Sequence, residues 1–180
     1  MTIYKGIGKL KNLGKIVESY DRKKILIVSG KKSFASSGAE EIVKKQLSNY
    51  ELHYFSDFQV NPDYQDAQRG ARFAANNKID LIVSIGGGSV LDMGKLIKAF
   101  YPQPDQAKDI VEKGLKIIDS RIPIISVPTT AGSGSESTHF AVVYVKDQKY
   151  SLSARSLIAN DIILDGSLVL SASKYQKACS

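Results

Sequence analysis

The sequence has no tryptophan, two histidines and one cysteine in 180 residues, and it has no uninterrupted apolar run of membrane-spanning length. A single cysteine, Cys179, excludes an internal disulfide framework and fits a reducing compartment. It reads as an incidental or buried thiol rather than a nucleophile. His53 and His139 lack the spacing of a metal-ligand set and read as packing or surface residues. Residues 1–20 mix lysine and glycine without the apolar core of a signal peptide, so the expectation is a cytoplasmic chain with no membrane partner. The net charge of +7 is also not concentrated: pairs such as Lys23-Lys24, Lys31-Lys32 and Lys44-Lys45 are scattered. Without a basic stripe and interleaved aromatics there is no nucleic-acid footprint. The charge is assigned to solvated helix faces, with a minor part in attracting an anionic cofactor or substrate. No fixed-period repeat or linker divides residues 1–180, which predicts one domain.

What is present is an alternation of short apolar runs with stretches of helical periodicity. Strands are predicted at residues 25–29, 51–55, 80–85, 122–127 and 162–164, and helices at 35–47, 63–77 and 90–100. Residues 101–113 read as a proline-interrupted connection with one short helix, and residues 140–145 and 150–153 flank Lys146-Asp147-Gln148-Lys149 as a hairpin. This pattern is that of an α/β fold: a doubly wound, mostly parallel sheet with helices on both faces, plus a β-hairpin. Residues 171–180 read as the opening of a further helix, with Ser171 or Ser173 as cap, that stops before it completes an amphipathic face.

Two loops carry the chemistry. Gly86-Gly87-Gly88-Ser89 stands between a buried strand and a helix, where bare backbone N–H groups and the positive helix end form an anion site, with Ser89 as an added donor. Asp92 and Lys95 share a helix face beyond it, Lys95 suited to offset phosphate charge and Asp92 to accept from ribose or the substrate side. A tight turn followed by a surface ion pair is the competing account of the same residues. The spacing is not G-x-G-x-x-G, so the Rossmann fingerprint is absent. The second loop, Pro128 to Glu136, gathers four hydroxyls and two glycines straight after a strand. Both loops are expected at the carboxyl ends of parallel strands, where open α/β sheets bind ligands.

Together, Gly86-Gly87-Gly88-Ser89-Val90-Leu91-Asp92-Met93-Gly94-Lys95 and Pro128-Thr129-Thr130-Ala131-Gly132-Ser133-Gly134-Ser135-Glu136-Ser137-Thr138 resemble the two N-terminal signatures of the iron-containing alcohol dehydrogenases. The resemblance runs over essentially the whole chain. It implies a Rossmann-like, dehydroquinate synthase-like N-terminal domain that binds a nicotinamide dinucleotide. On that resemblance Gly87, Gly88 and Ser89 hold the pyrophosphate, with Gly86 beside them in the cofactor site, and Asp92 approaches the nicotinamide. Thr129, Thr130 and Ser133 line the adenosine side, and Lys149 approaches the ribose. Glycerol dehydrogenases and dehydroquinate synthases also carry a triple-glycine loop, but Ser89, Lys95 and the Thr-Thr-Ala-Gly segment favour the iron-containing group.

Two departures matter. Family members that prefer NAD often place an aspartate after the first nucleotide-binding strand, whereas this chain has Ser29-Gly30-Lys31-Lys32-Ser33. Gly30, Lys31 and Lys32 would accept a 2′-phosphate that a carboxylate repels, so NADP is expected ahead of NAD, with an exposed basic turn as the other reading. The family's Asp and three His ligands for Fe(II) or another divalent metal belong to an all-helical domain expected after Ser180, which this chain lacks. The full-length parent is expected to exchange hydride with a small alcohol or aldehyde and to form homo-oligomers. The 180-residue chain alone is expected to be inactive, a nucleotide-binding module without catalysis. Within the family, Thr138-His139-Phe140 and the hairpin after it resemble the phosphonoacetaldehyde reductase branch.

Overall fold

The computed structural model describes residues 1–170. In chain order the strands are β1 (Thr2–Lys5), β2 (Lys24–Ser29), β3 (Glu51–Phe55), β4 (Leu81–Gly86), β5 (Ile124–Pro128), β6 (Phe140–Val145), β7 (Gln148–Ser153) and β8 (Asp161–Leu164). The α-helices are α1 (Leu13–Glu18), α2 (Ser33–Ser36), α3 (Ala39–Gln46), α4 (Tyr64–Asn76), α5 (Gly88–Phe100), α6 (Ala107–Glu112) and α7 (Gly166–Val169). Six strands form one sheet in the order β1-β8-β5-β4-β2-β3, every pair of it parallel. The strands β6 and β7 form a separate antiparallel hairpin. The fold is the α/β architecture predicted from the apolar alternation.

The central strands β2, β4 and β5 are buried along nearly their whole length because both faces of the sheet are covered, so they read as unbroken apolar runs. Alternate residues serve opposite cores. Leu26, Val28, Ile82 and Ile124 face α4 and α5, while Ile25, Ile27, Leu81 and Ile125 face α1 and α3. Helix α5 lies close on the sheet because Gly94 has no side chain: a Cβ there would stand 1.9 Å from Ser84 Oγ and 3.1 Å from its Cβ. The hairpin packs on the same side, inserting Ala141, Val143 and Leu152 into that core, and Tyr144 N–H donates to the Pro62 carbonyl (2.8 Å) at the start of α4. Asp63 caps α4 by accepting from Gln65 N–H (2.8 Å).

The chain runs outward from β2 to β3, returns to β4 and then proceeds the other way through β5 to β8. The direction of winding therefore reverses between β2 and β4, and the loops that leave these two strands open side by side at their carboxyl ends.

Three sequence expectations change. The helix predicted over residues 35–47 is two helices, because Gly38 takes a left-handed conformation (φ 74°) between α2 and α3. The hairpin turn is Lys146-Asp147 alone, with Val145 opposite Gln148, so Lys149 lies in β7 and not in the turn. The edge strand β1 pairs with β8, although residues 1–20 gave no strand signal. The helix expected from residue 171, and Cys179, lie outside the described residues.

Candidate functional site

The glycine loop and the Thr/Ser loop meet because their strands are neighbours. Gly86 is opposite Pro128, and Thr129 N–H donates to the Gly86 carbonyl (2.9 Å). Gly87 is the cap of α5 and supplies no side-chain hydrogen bond, so the first amides of a thirteen-residue helix are left for an outside acceptor. A Cβ on Gly87 would come 3.2 Å from Thr130 Oγ1, and one on Gly88 would come 3.2 Å from Ser133 Cβ. A side chain at either position would push the other loop back by a few tenths of an ångström. Gly86 is needed for a different reason, since the Val90 side chain occupies the space where its Cβ would stand (2.5–2.6 Å).

Two cavities open on either side of this contact. The first, about 470 Å³, lies over the carboxyl ends of β2, β3 and β4 and is walled by Gly30 to Ser33, Ser56, Phe58 to Val60, Gly87 to Val90, Thr129 and Thr130. The second, about 330 Å³, lies over β5, β8 and β1, with Lys5 to Ile7, Pro128, Thr130 to Gly132, Glu136 and Leu164 to Gly166 among its walls. Thr130 is common to both.

Of the residues singled out in the sequence, Gly30, Lys31, Lys32, Gly87, Gly88, Ser89, Thr129 and Thr130 converge on the first cavity. Ser133 backs Gly88 and lines neither cavity. Lys149 lies exposed on β7, opposite Tyr144, and also lines neither.

The structure corrects Lys95 and gives Asp92 partners within the chain. Lys95 is fully buried, and its Nζ donates to the Ser135 carbonyl, to Thr138 Oγ1 (3.0 Å) and to the Phe140 carbonyl (2.8 Å). Burial holds this ammonium below the ordinary lysine value, with Asp92 and Glu136 acting the other way. Asp92 accepts from Ser135 Oγ (2.5 Å) and from Val142 N–H (3.2 Å). An ammonium with three acceptors and no exposed surface does not offset phosphate charge. The two side chains bind the Thr/Ser loop and the hairpin onto α5.

The rim of the first cavity is exposed and charged. Lys31 Nζ lies 2.7 Å from Asp57 Oδ1, and that hydrogen bond holds the Asp57 carboxyl below the usual carboxylate range. Arg69 donates to the Asp57 carbonyl, stands 3.6 Å from its Oδ2 and 3.0 Å from Asp66, and lies 5.9 Å from the centre of the Phe55 ring. Lys32 makes no ion pair among the described residues. Asn61 N–H donates to Ser89 Oγ (3.4 Å), drawing the loop after β3 across the start of α5.

That loop was missed in the sequence, as were the contributions of β1 and β8 to the second cavity. Asn61-Pro62 marks a helix start but does not say which strands flank the glycine loop. The walls follow from strand order, which one sequence does not display.

Asp165 is the buried carboxylate of the second cavity. It accepts from the N–H groups of Gly8 (2.9 Å), Leu10 (2.9 Å) and Ser167 (3.1 Å) and from Ser167 Oγ (2.6 Å). Burial by itself raises its pKa, but the hydrogen bonds, that from the Ser167 hydroxyl foremost, outweigh this and hold it low. Among the described residues no group of three His, Cys, Asp or Glu side chains is placed to hold a metal ion, and no helix is long and apolar enough to cross a membrane.

Comparison with known proteins agrees with this fold. The family model of the iron-containing alcohol dehydrogenases matches residues 1–166. The aldehyde-alcohol dehydrogenase of Streptococcus pneumoniae is 34% identical over 136 residues, 69% of this chain and 15% of that protein. Long-chain-alcohol dehydrogenase 1 of Geobacillus thermodenitrificans is 27% identical over 92% of this chain and 43% of its own length. The chain thus spans less than half of these curated relatives. Among solved structures, sulfoacetaldehyde reductase from Bifidobacterium kashiwanohense in complex with NAD+ superposes with a TM-score of 0.89 at 26% identity, over 96% of this chain and 46% of that one. With matched signatures, a shared fold and a family model that covers almost all of its described residues, the chain belongs to the iron-containing alcohol dehydrogenase family.

Proposed function

We propose that residues 1–180 are the dinucleotide-binding domain of an NAD(P)-dependent alcohol dehydrogenase or aldehyde reductase. The observation that carries this reading is the pair of cavities joined at Thr130 over the first turn of α5. A dinucleotide is two nucleosides joined by a pyrophosphate, and the cleft has matching parts. The pyrophosphate lies on the amides of Gly87, Gly88 and Ser89, the adenosine extends over β2 and β3, and the nicotinamide enters the second cavity. Thr129 and Thr130 add hydroxyls beside the phosphates. When bound, the cofactor supplies or accepts a hydride at its nicotinamide ring, and this chain's part is to hold and orient it. Turnover by the 180-residue chain alone is not proposed.

NADP is proposed ahead of NAD, because Lys31 and Lys32 stand on the adenosine wall where a 2′-phosphate would reach. For the parent enzyme a short aldehyde with an anionic group, such as phosphonoacetaldehyde, is proposed from the hairpin resemblance. The likeness to a sulfoacetaldehyde reductase supports it. An aldehyde panel on the parent tests it, and equal rates with plain aliphatic aldehydes overturn it.

Calorimetric titration of the 180-residue chain with NADP and NAD tests the cofactor site. Saturable binding is expected, tighter for NADP, and Gly88→Val is expected to weaken it by at least about tenfold by pressing on Ser133 and forcing the Thr/Ser loop away from the glycine loop. Thermal unfolding of the variant checks that its fold is retained. Binding of neither cofactor by the unaltered chain overturns the proposal.

A further inference from the structure

Asp57 follows β3, between the cavity residues Ser56 and Phe58, and accepts a hydrogen bond from Lys31 Nζ at 2.7 Å. Lys31 is one of the two cations that a 2′-phosphate would meet, so carboxylate and phosphate compete for one ammonium. The carboxylate is held from behind. Arg69 donates to the Asp57 carbonyl and lies 3.6 Å from Oδ2. Arg69 is itself paired with Asp66 at 3.0 Å, and Asp66 accepts the Gln59 N–H (3.1 Å). The loop after β3 is thus fastened to α4, with Asp57 directed at Lys31.

We propose that Asp57 sets the choice of dinucleotide: as an internal counter-anion to Lys31 it weakens binding of a 2′-phosphate and narrows the preference for NADP over NAD. The inference rests on the reading of the first cavity as the adenosine side of a cofactor site. A cofactor with a free 2′-hydroxyl leaves the Lys31–Asp57 pair intact. One with a 2′-phosphate must break the pair to reach the same ammonium. Both side chains are well exposed, with 62% of Lys31 and 80% of Asp57 accessible, so the effect is moderate and screened by salt.

The test is calorimetric titration of the 180-residue chain with NAD, NADP, 5′-AMP and 2′,5′-ADP, in the unaltered protein, Asp57→Asn, Lys31→Gln and the double variant. Asp57→Asn is expected to tighten the two 2′-phosphorylated ligands about fivefold, the order set by one exposed charge pair, and to leave NAD and 5′-AMP within about twofold. The gain disappears in the Lys31→Gln background and shrinks at high salt. Asp57→Ser must reproduce it, which guards against an effect peculiar to the amide. An unchanged NADP-to-NAD ratio, or a gain that persists without Lys31, overturns the proposal. If the unaltered chain prefers NAD yet Asp57→Asn still gains affinity for NADP, only the NADP preference falls. If the unaltered chain binds neither, the cofactor reading falls and this inference with it.

Discussion

Behind the cleft and along its rim the chain places the same residue types, lysine and aspartate, in opposite conditions. Lys95 and Asp92 have their polar atoms engaged by Ser135, Thr138, Phe140 and Val142, while Lys31 and Asp57 face water and each other. Burial makes Lys95 structural, and the half-buried Asp92 holds the same segments beside it. An ammonium without solvent is tolerable only when its donors are matched, and the matched acceptors belong to the segments that must be held beside α5. Exposure leaves the second set free to answer to a ligand. The contrast separates residues whose loss unfolds the site from residues whose loss changes only what the site prefers.

The largest expected effect therefore falls behind the cleft. Lys95→Met keeps much of the side-chain volume but abandons two carbonyls and a hydroxyl, and is expected to lower unfolding stability by about 3 kcal/mol, the range for removing one partner of a buried charged network. Urea denaturation measures it. A loss below about 0.5 kcal/mol, the scale of an ordinary surface substitution, would dissolve the distinction between the two sets.

Asp165 extends the same test to the second cavity through pH. Its folded pKa lies below the unfolded value, so its contribution is fully present above that value and is lost as pH falls through the depressed folded pKa. Asp165→Asn is expected to cost about 1–2 kcal/mol at neutral pH by weakening charge-assisted hydrogen bonds from Gly8, Leu10 and Ser167, and to converge with the unaltered chain in strong acid. Urea midpoints at neutral pH and in strong acid measure the gap, and a gap that stays constant in acid contradicts the assignment.

How much of this was legible in the sequence follows from the same contrast. The strands β2, β4 and β5 could be read because doubly covered strands are continuous apolar runs, and the glycine loop because residue type and position coincide there. The short, largely exposed β1 gains its place only by pairing with β8 at the far end of the chain. Lys95 was misjudged for a related reason. Its spacing from Asp92 puts both on one helix face but does not say whether that face meets water, and a fully buried lysine runs against ordinary composition. Lys31 was legible as a basic residue on a loop after a strand, but Asp57 belongs to a different loop and joins it only through the order of the strands.

Lys32 offers the finest division of the rim. It stands on the same cavity wall as Lys31 and carries no ion pair among the described residues, so no internal carboxylate competes for it. Lys32→Gln is expected to leave the melting temperature unchanged, since an exposed side chain away from special geometry contributes within about 0.5 kcal/mol. It should weaken 2′,5′-ADP about threefold while 5′-AMP is unaffected, consistent with one screened surface charge. The comparison with Lys31→Gln then decides how the rim works. If Lys31 is held by Asp57 while Lys32 is free, removing Lys32 costs more 2′-phosphate affinity than removing Lys31, and Asp57→Asn reverses the order. Equal losses from the two lysines, unmoved by the state of Asp57, would mean that the rim acts as diffuse positive charge with no residue in it setting the choice.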